Sequence, residues 1–149
     1  MQQSKIFVRT GIKFADYQSA LHHISETLVS AGVVKQSYLS ALLEREAMYP
    51  TGIELEQHAV AIPHCEVTHA NEPAIYLIRP DAPVSFNQAD SDGMIEVKLI
   101  IALVVTHPDK QLALLRKLFG TLQDTALLNS LLTEPEDKLA ELFSQSLTH

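Results

Sequence analysis

The sequence is poor in cysteine, in positive charge and in long apolar runs, and each shortage excludes something. Its one cysteine, Cys65, rules out a disulfide within the chain and suits a reducing compartment. Lys and Arg number 11 against 18 Asp and Glu, a formal net charge of −7 with histidine neutral. A nucleic-acid binder gathers its basic residues on one face. Here they are scattered, and no nucleic-acid partner is expected. An acidic surface suits a partner with a basic face. The longest apolar run, Leu99 to Val105, is far too short to cross a bilayer. The opening MQQSKIFVRTGIKF has no apolar core of signal-peptide length. The expectation is a cytoplasmic protein that meets a membrane only through a partner. Repeats and low-complexity segments are absent as well.

What is present is a globular balance: 149 residues, 46% hydrophobic and 19% charged. That predicts one domain spanning 1–149, able to bury a sizeable core. Ile6, Phe7 and Val8 read as a short opening strand. Asp16 reads as a helix N-cap, followed by Ala20, Leu21, Ile24, Leu28 and Ala31 at helical spacing, with Gly32 as the stop. Ser37 reads as the cap of a second helix carrying Leu39, Leu42 and Leu43, broken at Pro50, Thr51 and Gly52. Short strands are expected at Ala59–Ile62, Ala74–Ile78 and Val84–Phe86. The run Ile95–Val105 is apolar on both faces, as a strand covered from two sides must be.

Pro108 stands in the first turn of a third helix, with Leu112, Leu115, Leu118, Phe119 and Leu122 as its stripe. That stripe reads as core. Asp124 and Thr133 each read as the cap of a further helix, the last carrying Leu139, Leu142 and Phe143. The order is strand, two helices, several strands, three helices. It predicts an α/β or α+β fold, a single mixed sheet covered by helices.

Chemistry concentrates in REAMYPTGIELEQHAVAIPHCEVTH, from Arg45 to His69. Ala61, Ile62 and Pro63 anchor the backbone ahead of His64 and leave its ring free to face solvent. A neutral imidazole offers one nitrogen to attack phosphorus, while a carbonyl or carboxylate holds the proton on the other. Composition alone does not separate such a residue from an ordinary loop histidine. Cys65 reads as a small buried filler. His22, His23, His69 and His149 read as surface residues. Asp90, Asp92 and Glu96 around Gly93 fall short of the calcium-loop ligand pattern.

The run Ala59-Val60-Ala61-Ile62-Pro63-His64, preceded by Arg45-Glu46 and Thr51-Gly52 and followed by Gln111-Leu112, resembles the fructose/mannitol-type IIA proteins. These belong to the bacterial phosphoenolpyruvate-dependent sugar phosphotransferase system (PTS). The wording from Tyr49 through Glu66 is most similar to the galactitol-specific branch. The resemblance implies a sheet covered by helices on both sides and a cytoplasmic phosphocarrier without cofactor or metal. It implies that His64 accepts a phosphoryl group from the general phosphocarrier HPr. The group then passes to a IIB component, and indirectly to a membrane IIC permease that imports a hexitol, galactitol in that branch.

The same resemblance gives each site residue a role. His64 is the nucleophile, and Arg45 contacts the phosphoryl oxygens with its planar fork. The alternative for Arg45 is a surface ion pair with Glu44 or Glu46. Thr51 either donates its hydroxyl or shapes the turn with Gly52. Gln111 stands where mannitol-type members carry a second active-site histidine. It can donate a hydrogen bond to phosphate but cannot titrate. His107 lies close to Gln111 in sequence. The segment from Thr51 to His64 is longer than in the mannitol and nitrogen-regulatory branches, with Glu54-Leu55-Glu56-Gln57-His58 replacing a short glycine-rich run. His58 therefore either sits across the site or is a satisfied structural histidine. Two other functions share these residues. One is a regulatory, nitrogen-type IIA homologue. The other is a metal hydrolase using His58, His64 and His69, whose spacing matches no zinc motif.

Overall fold

The structure, a computed structural model, describes residues 5–148. The readings of residues 1–4 and of His149 lie outside them. Six strands form one mixed sheet: β1 (Lys5–Ile12), β2 (Gly52–Glu54), β3 (Ala59–Ala61), β4 (Ala74–Pro80), β5 (Val84–Asn87) and β6 (Met94–Val104). Five helices accompany them: α1 (Tyr17–Ser30), α2 (Tyr38–Met48), α3 (Pro108–Leu122), α4 (Thr125–Thr133) and α5 (Glu136–Thr148).

The sheet order is β1-β4-β6-β3-β2, with β5 also paired to β6. β6 is the organising strand. It runs antiparallel to β4 along its C-terminal half and antiparallel to β5 along its N-terminal half. On its other edge it runs parallel to β3, pairing Val60 with Leu99 and Ala61 with Ile100.

Because successive strand side chains face opposite ways, β6 serves two cores. Val97, Ile100, Ala102 and Val104 join Leu21, Ile24, Leu28 and Leu42 of α1 and α2. Leu99, Ile101 and Leu103 join Leu118, Leu122, Leu131, Leu139 and Phe143 of α3, α4 and α5. The sheet is thus covered by helices on both sides, as expected. Each fully buried Leu or Ile contributes about 1.5–3 kcal/mol, so neither face can be stripped of its helices. Among the described residues no helix is long and apolar enough to cross a membrane.

The element readings need local corrections. β1 extends to Ile12, and β2 was hidden among polar residues. Asp16 and Asp124 cap as expected, accepting from Ser19 N at 2.8 Å and Leu127 N at 3.2 Å. Ser37 occupies the N-cap position of α2 but makes no side-chain cap bond there. Its hydroxyl meets His69 Nδ1 at 2.8 Å instead. Thr133 ends α4 and caps nothing after it; its hydroxyl donates back to Asn129 O at 2.9 Å. On α3 the stripe is only partly core, since Leu112 is 51% and Phe119 39% exposed.

Candidate functional site

Parallel strands deliver the segments that follow them to the same end of a sheet. β3 and β6 are such a pair. The chain leaving β3 (Ile62, Pro63, His64) and the chain leaving β6 into α3 therefore meet. Pro63 O accepts from Leu103 N at 3.1 Å, which fastens the first segment to β6. Gln111, in the first turns of α3, donates from Nε2 to Cys65 O at 3.0 Å. The loop carrying His64 is held on both flanks before any partner arrives.

His64 is half-buried. Its Nδ1 lies 2.8 Å from Ile62 O. A carbonyl only accepts, so Nδ1 carries the proton and Nε2 keeps its lone pair. Nε2 faces the Arg45 guanidinium, with Nη2 at 3.5 Å. That distance is long for a direct hydrogen bond. Burial lowers the His64 pKa, the Ile62 carbonyl raises it, and the Arg45 charge lowers it. The net shift is downward from the ordinary 6.5, so the neutral ring predominates at pH 7.

Arg45 comes from the last turn of α2. Its Nη1 donates to Tyr49 O at 3.1 Å, and its guanidinium carbon lies 4.8 Å from the centre of the Tyr49 ring. The ion pair with Glu44 or Glu46 does not form. Glu46 is buried and turns to Thr51, accepting from Thr51 N at 2.6 Å and from its hydroxyl at 2.7 Å. Burial, the largest influence, raises the Glu46 pKa, against the two Thr51 bonds and Arg45, which lower it. The Thr51 hydroxyl proton is thereby committed to Glu46. Thr51 joins the His64 segment through its backbone, its carbonyl accepting from Ile62 N at 3.3 Å.

The cleft beside this cluster has a volume of about 330 Å³ and is lined by Arg45, Tyr49, Cys65 and Glu66 among others. Cys65 packs in the core shared with α1 and α2, and burial pushes its thiol up to about 12. A thiol so protonated is no nucleophile.

The other histidines go elsewhere. His58 precedes β3 and so sits at the other end of that strand from His64, where Nε2 meets Asn129 Oδ1 of α4 at 2.8 Å. His69 is held by Ser37. His23 is not a free surface residue: it is half-buried, and Nε2 meets the Tyr76 hydroxyl at 2.7 Å. His107 is exposed just before α3, and its carbonyl accepts from Gln111 N at 3.1 Å. Among the described residues no group of three or more His, Cys, Asp or Glu could hold a metal ion. Sequence reasoning missed the Tyr49 ring and the Glu46–Thr51 pair. Their signal is a spacing of four or five residues across a helix end, where periodicity stops.

The structure thus sets an imidazole with a free Nε2 beside a guanidinium that no carboxylate pairs with among the described residues, on a mixed sheet with helices on both faces. The chain belongs to the phosphoenolpyruvate-dependent sugar phosphotransferase system EIIA 2 family, whose model matches residues 1–146. It is 50% identical over 142 residues to the galactitol-specific EIIA component of the Escherichia coli PTS (strain K12), covering 95% of each chain. Among solved structures it is similar to the mannitol IIA of Escherichia coli, with a TM-score of 0.73, 25% identity, and coverage of 93% of this chain and 94% of that one. It shares its fold with Escherichia coli enzyme IIAMTL, solved in complex with phosphorylated enzyme IIBMTL: TM-score 0.74, 23% identity, 97% of each chain. The chain is a phosphocarrier of a sugar phosphotransferase system.

Proposed function

We propose that His64 carries the phosphoryl group on Nε2, taking it from phosphorylated HPr and passing it to the IIB component of a galactitol transporter in the cytoplasm. The observation that carries this reading is the division of labour on the His64 ring. Ile62 O holds the Nδ1 proton at 2.8 Å, and Nε2 faces Arg45.

In the acceptance step the Nε2 lone pair attacks the donor's phosphorus. The bond from phosphorus to the donor breaks, and its electron pair leaves with the donor. The His64 ring gains positive charge, which the Ile62 carbonyl steadies through the retained Nδ1 proton. Arg45 offers its fixed charge to the phosphoryl oxygens. Phosphoryl transfer is mostly positioning and electrostatics, so these groups suffice in kind. Transfer to IIB runs the same exchange, with phosphorus leaving Nε2. Gln111 supports the loop by holding Cys65 O, and Thr51 supports it by holding Glu46 and Ile62. The carrier unit in this reading is one domain, 1–149.

Two partners must take turns at one histidine, so docking is transient. Exposed Met48 and Leu112 supply apolar surface on the two helices, α2 and α3, that flank the His64 loop. Galactitol, delivered indirectly through a membrane IIC permease, is favoured over the regulatory alternative by the 50% identity to a galactitol-specific relative.

The test is phosphotransfer in vitro from phosphoenolpyruvate through enzyme I and HPr. The wild-type chain should take label and His64→Ala should not. An unlabelled wild-type chain would overturn the carrier reading. Unchanged galactitol uptake after deletion of the gene would overturn the sugar.

A further inference from the structure

Arg45 is the fixed positive charge at the site, yet among the described residues no carboxylate pairs with it. Glu46, its neighbour in sequence, is taken by Thr51. A guanidinium on a long flexible stem needs some restraint if it is to meet a phosphoryl group in a fixed place. What restrains it is Tyr49, through its carbonyl at 3.1 Å and its ring face at 4.8 Å. An aromatic face orients a cation without neutralising it. A carboxylate in the same place would compete with the phosphoryl oxygens for the fork.

Core packing does not account for the ring, which is 61% exposed. Its position is nevertheless fixed from both sides. Tyr49 N donates to Arg45 O at 2.8 Å as α2 ends. Two residues later the Glu46 carboxylate clamps Thr51 at 2.6 and 2.7 Å. The turn from α2 into β2 thus returns the ring over the arginine of the preceding helical turn.

We infer that Tyr49 is a positioning residue for phosphoryl transfer: its ring holds the un-neutralised Arg45 guanidinium beside His64 Nε2. The inference rests on the reading of His64 as the carrier and adds a residue to it. Arg45 also depresses the His64 pKa, so displacement of the guanidinium is readable without any partner.

The test compares Tyr49→Leu, Tyr49→Phe and wild type, with urea melts as the control for fold. In isolated protein, NMR follows the Arg45 Nε–H resonance and the titration of His64. Tyr49→Leu should move the resonance out of the ring's shielding and bring the His64 titration up toward the ordinary value; Tyr49→Phe should leave both near wild type. In transfer from phosphorylated HPr, Tyr49→Leu should lower the rate at saturating donor about tenfold, the order expected when one oriented charge is loosened but not removed. Tyr49→Phe should restore it. A Tyr49→Leu rate loss that saturating donor fully reverses would assign the ring to docking and overturn the inference. So would an Arg45 resonance and His64 titration unchanged in Tyr49→Leu. If even the wild-type chain took no phosphate, the carrier reading would fall, and the two NMR readouts would still decide whether Tyr49 positions Arg45.

Discussion

In the proposed role His64 must be neutral to attack phosphorus, and its surroundings favour the neutral ring. Burial and the Arg45 charge both disfavour the imidazolium, and together they outweigh the Ile62 carbonyl. Phosphate acceptance should therefore fall off at a lower pH than the ordinary imidazole value of 6.5 would give. An NMR titration of His64 with a midpoint at or above 6.5 would contradict this. Stability follows with a definite sign. Between the ordinary 6.5 and the lower folded value, the unfolded chain binds the proton and the folded chain does not. Stability therefore falls as pH drops through that window. In His64→Gln that part of the dependence should vanish from urea midpoints measured across it. Substitutions at the site should rank in order. His64→Ala should abolish acceptance. Arg45→Ala should slow it about 100-fold, or about 3 kcal/mol, the scale of a lost electrostatic contact to a transferring group. Gln111→Ala should cost less, because water can take the place of its bond to Cys65 O.

The elements were legible in the sequence where a period or a cap announced them. Asp16 and Asp124 stood before apolar stripes at helical spacing. The doubly apolar run in β6 announced a central strand because it really serves two cores. Contacts across a helix end have no period. The Glu46–Thr51 clamp, the Tyr49 ring over Arg45 and the three-residue β2 were invisible for that reason. Thr133 misled because a threonine hydroxyl can equally bond the carbonyl one turn back. Gly52 shows the same limit. It read as a turn-breaker, whereas its lack of a side chain serves a close approach: a Cβ there would lie 2.5 Å from Asn87 O. That atom is strand backbone and cannot swing aside. Gly52→Ala should destabilise by about 1–3 kcal/mol, as overpacking does. A lower urea midpoint would show it, and a midpoint equal to wild type would mean that β2 and β5 separate at no cost.

At the scale of the whole molecule, the sheet separates the histidines that sequence had grouped. His58 and His64 bracket β3 and so occupy opposite ends of it; His58 is tied to α4, and His64 faces Arg45. The two ends of one strand cannot share a phosphoryl group or a metal ion. In the proposed role the same topology sets out the face on which partners would dock. The end of α2 and the start of α3 flank the His64 loop, and each leaves apolar side chains exposed: Met48 and Tyr49 on one side, Leu112 on the other. The sequence stripe placed Leu112 in the core, because helical spacing does not tell a buried face from one awaiting a partner. Exposed by 51%, Leu112 has little to lose on folding. Leu112→Ser should leave the melting temperature within about 2 °C of wild type, since surface substitutions usually stay within about 0.5 kcal/mol. It should raise the concentration of phosphorylated HPr needed for half-maximal transfer while sparing the saturated rate, because the lost contact is to the partner and not to the phosphoryl group. A fall in the saturated rate with unchanged half-saturation would instead put Leu112 behind Gln111, in support of the loop.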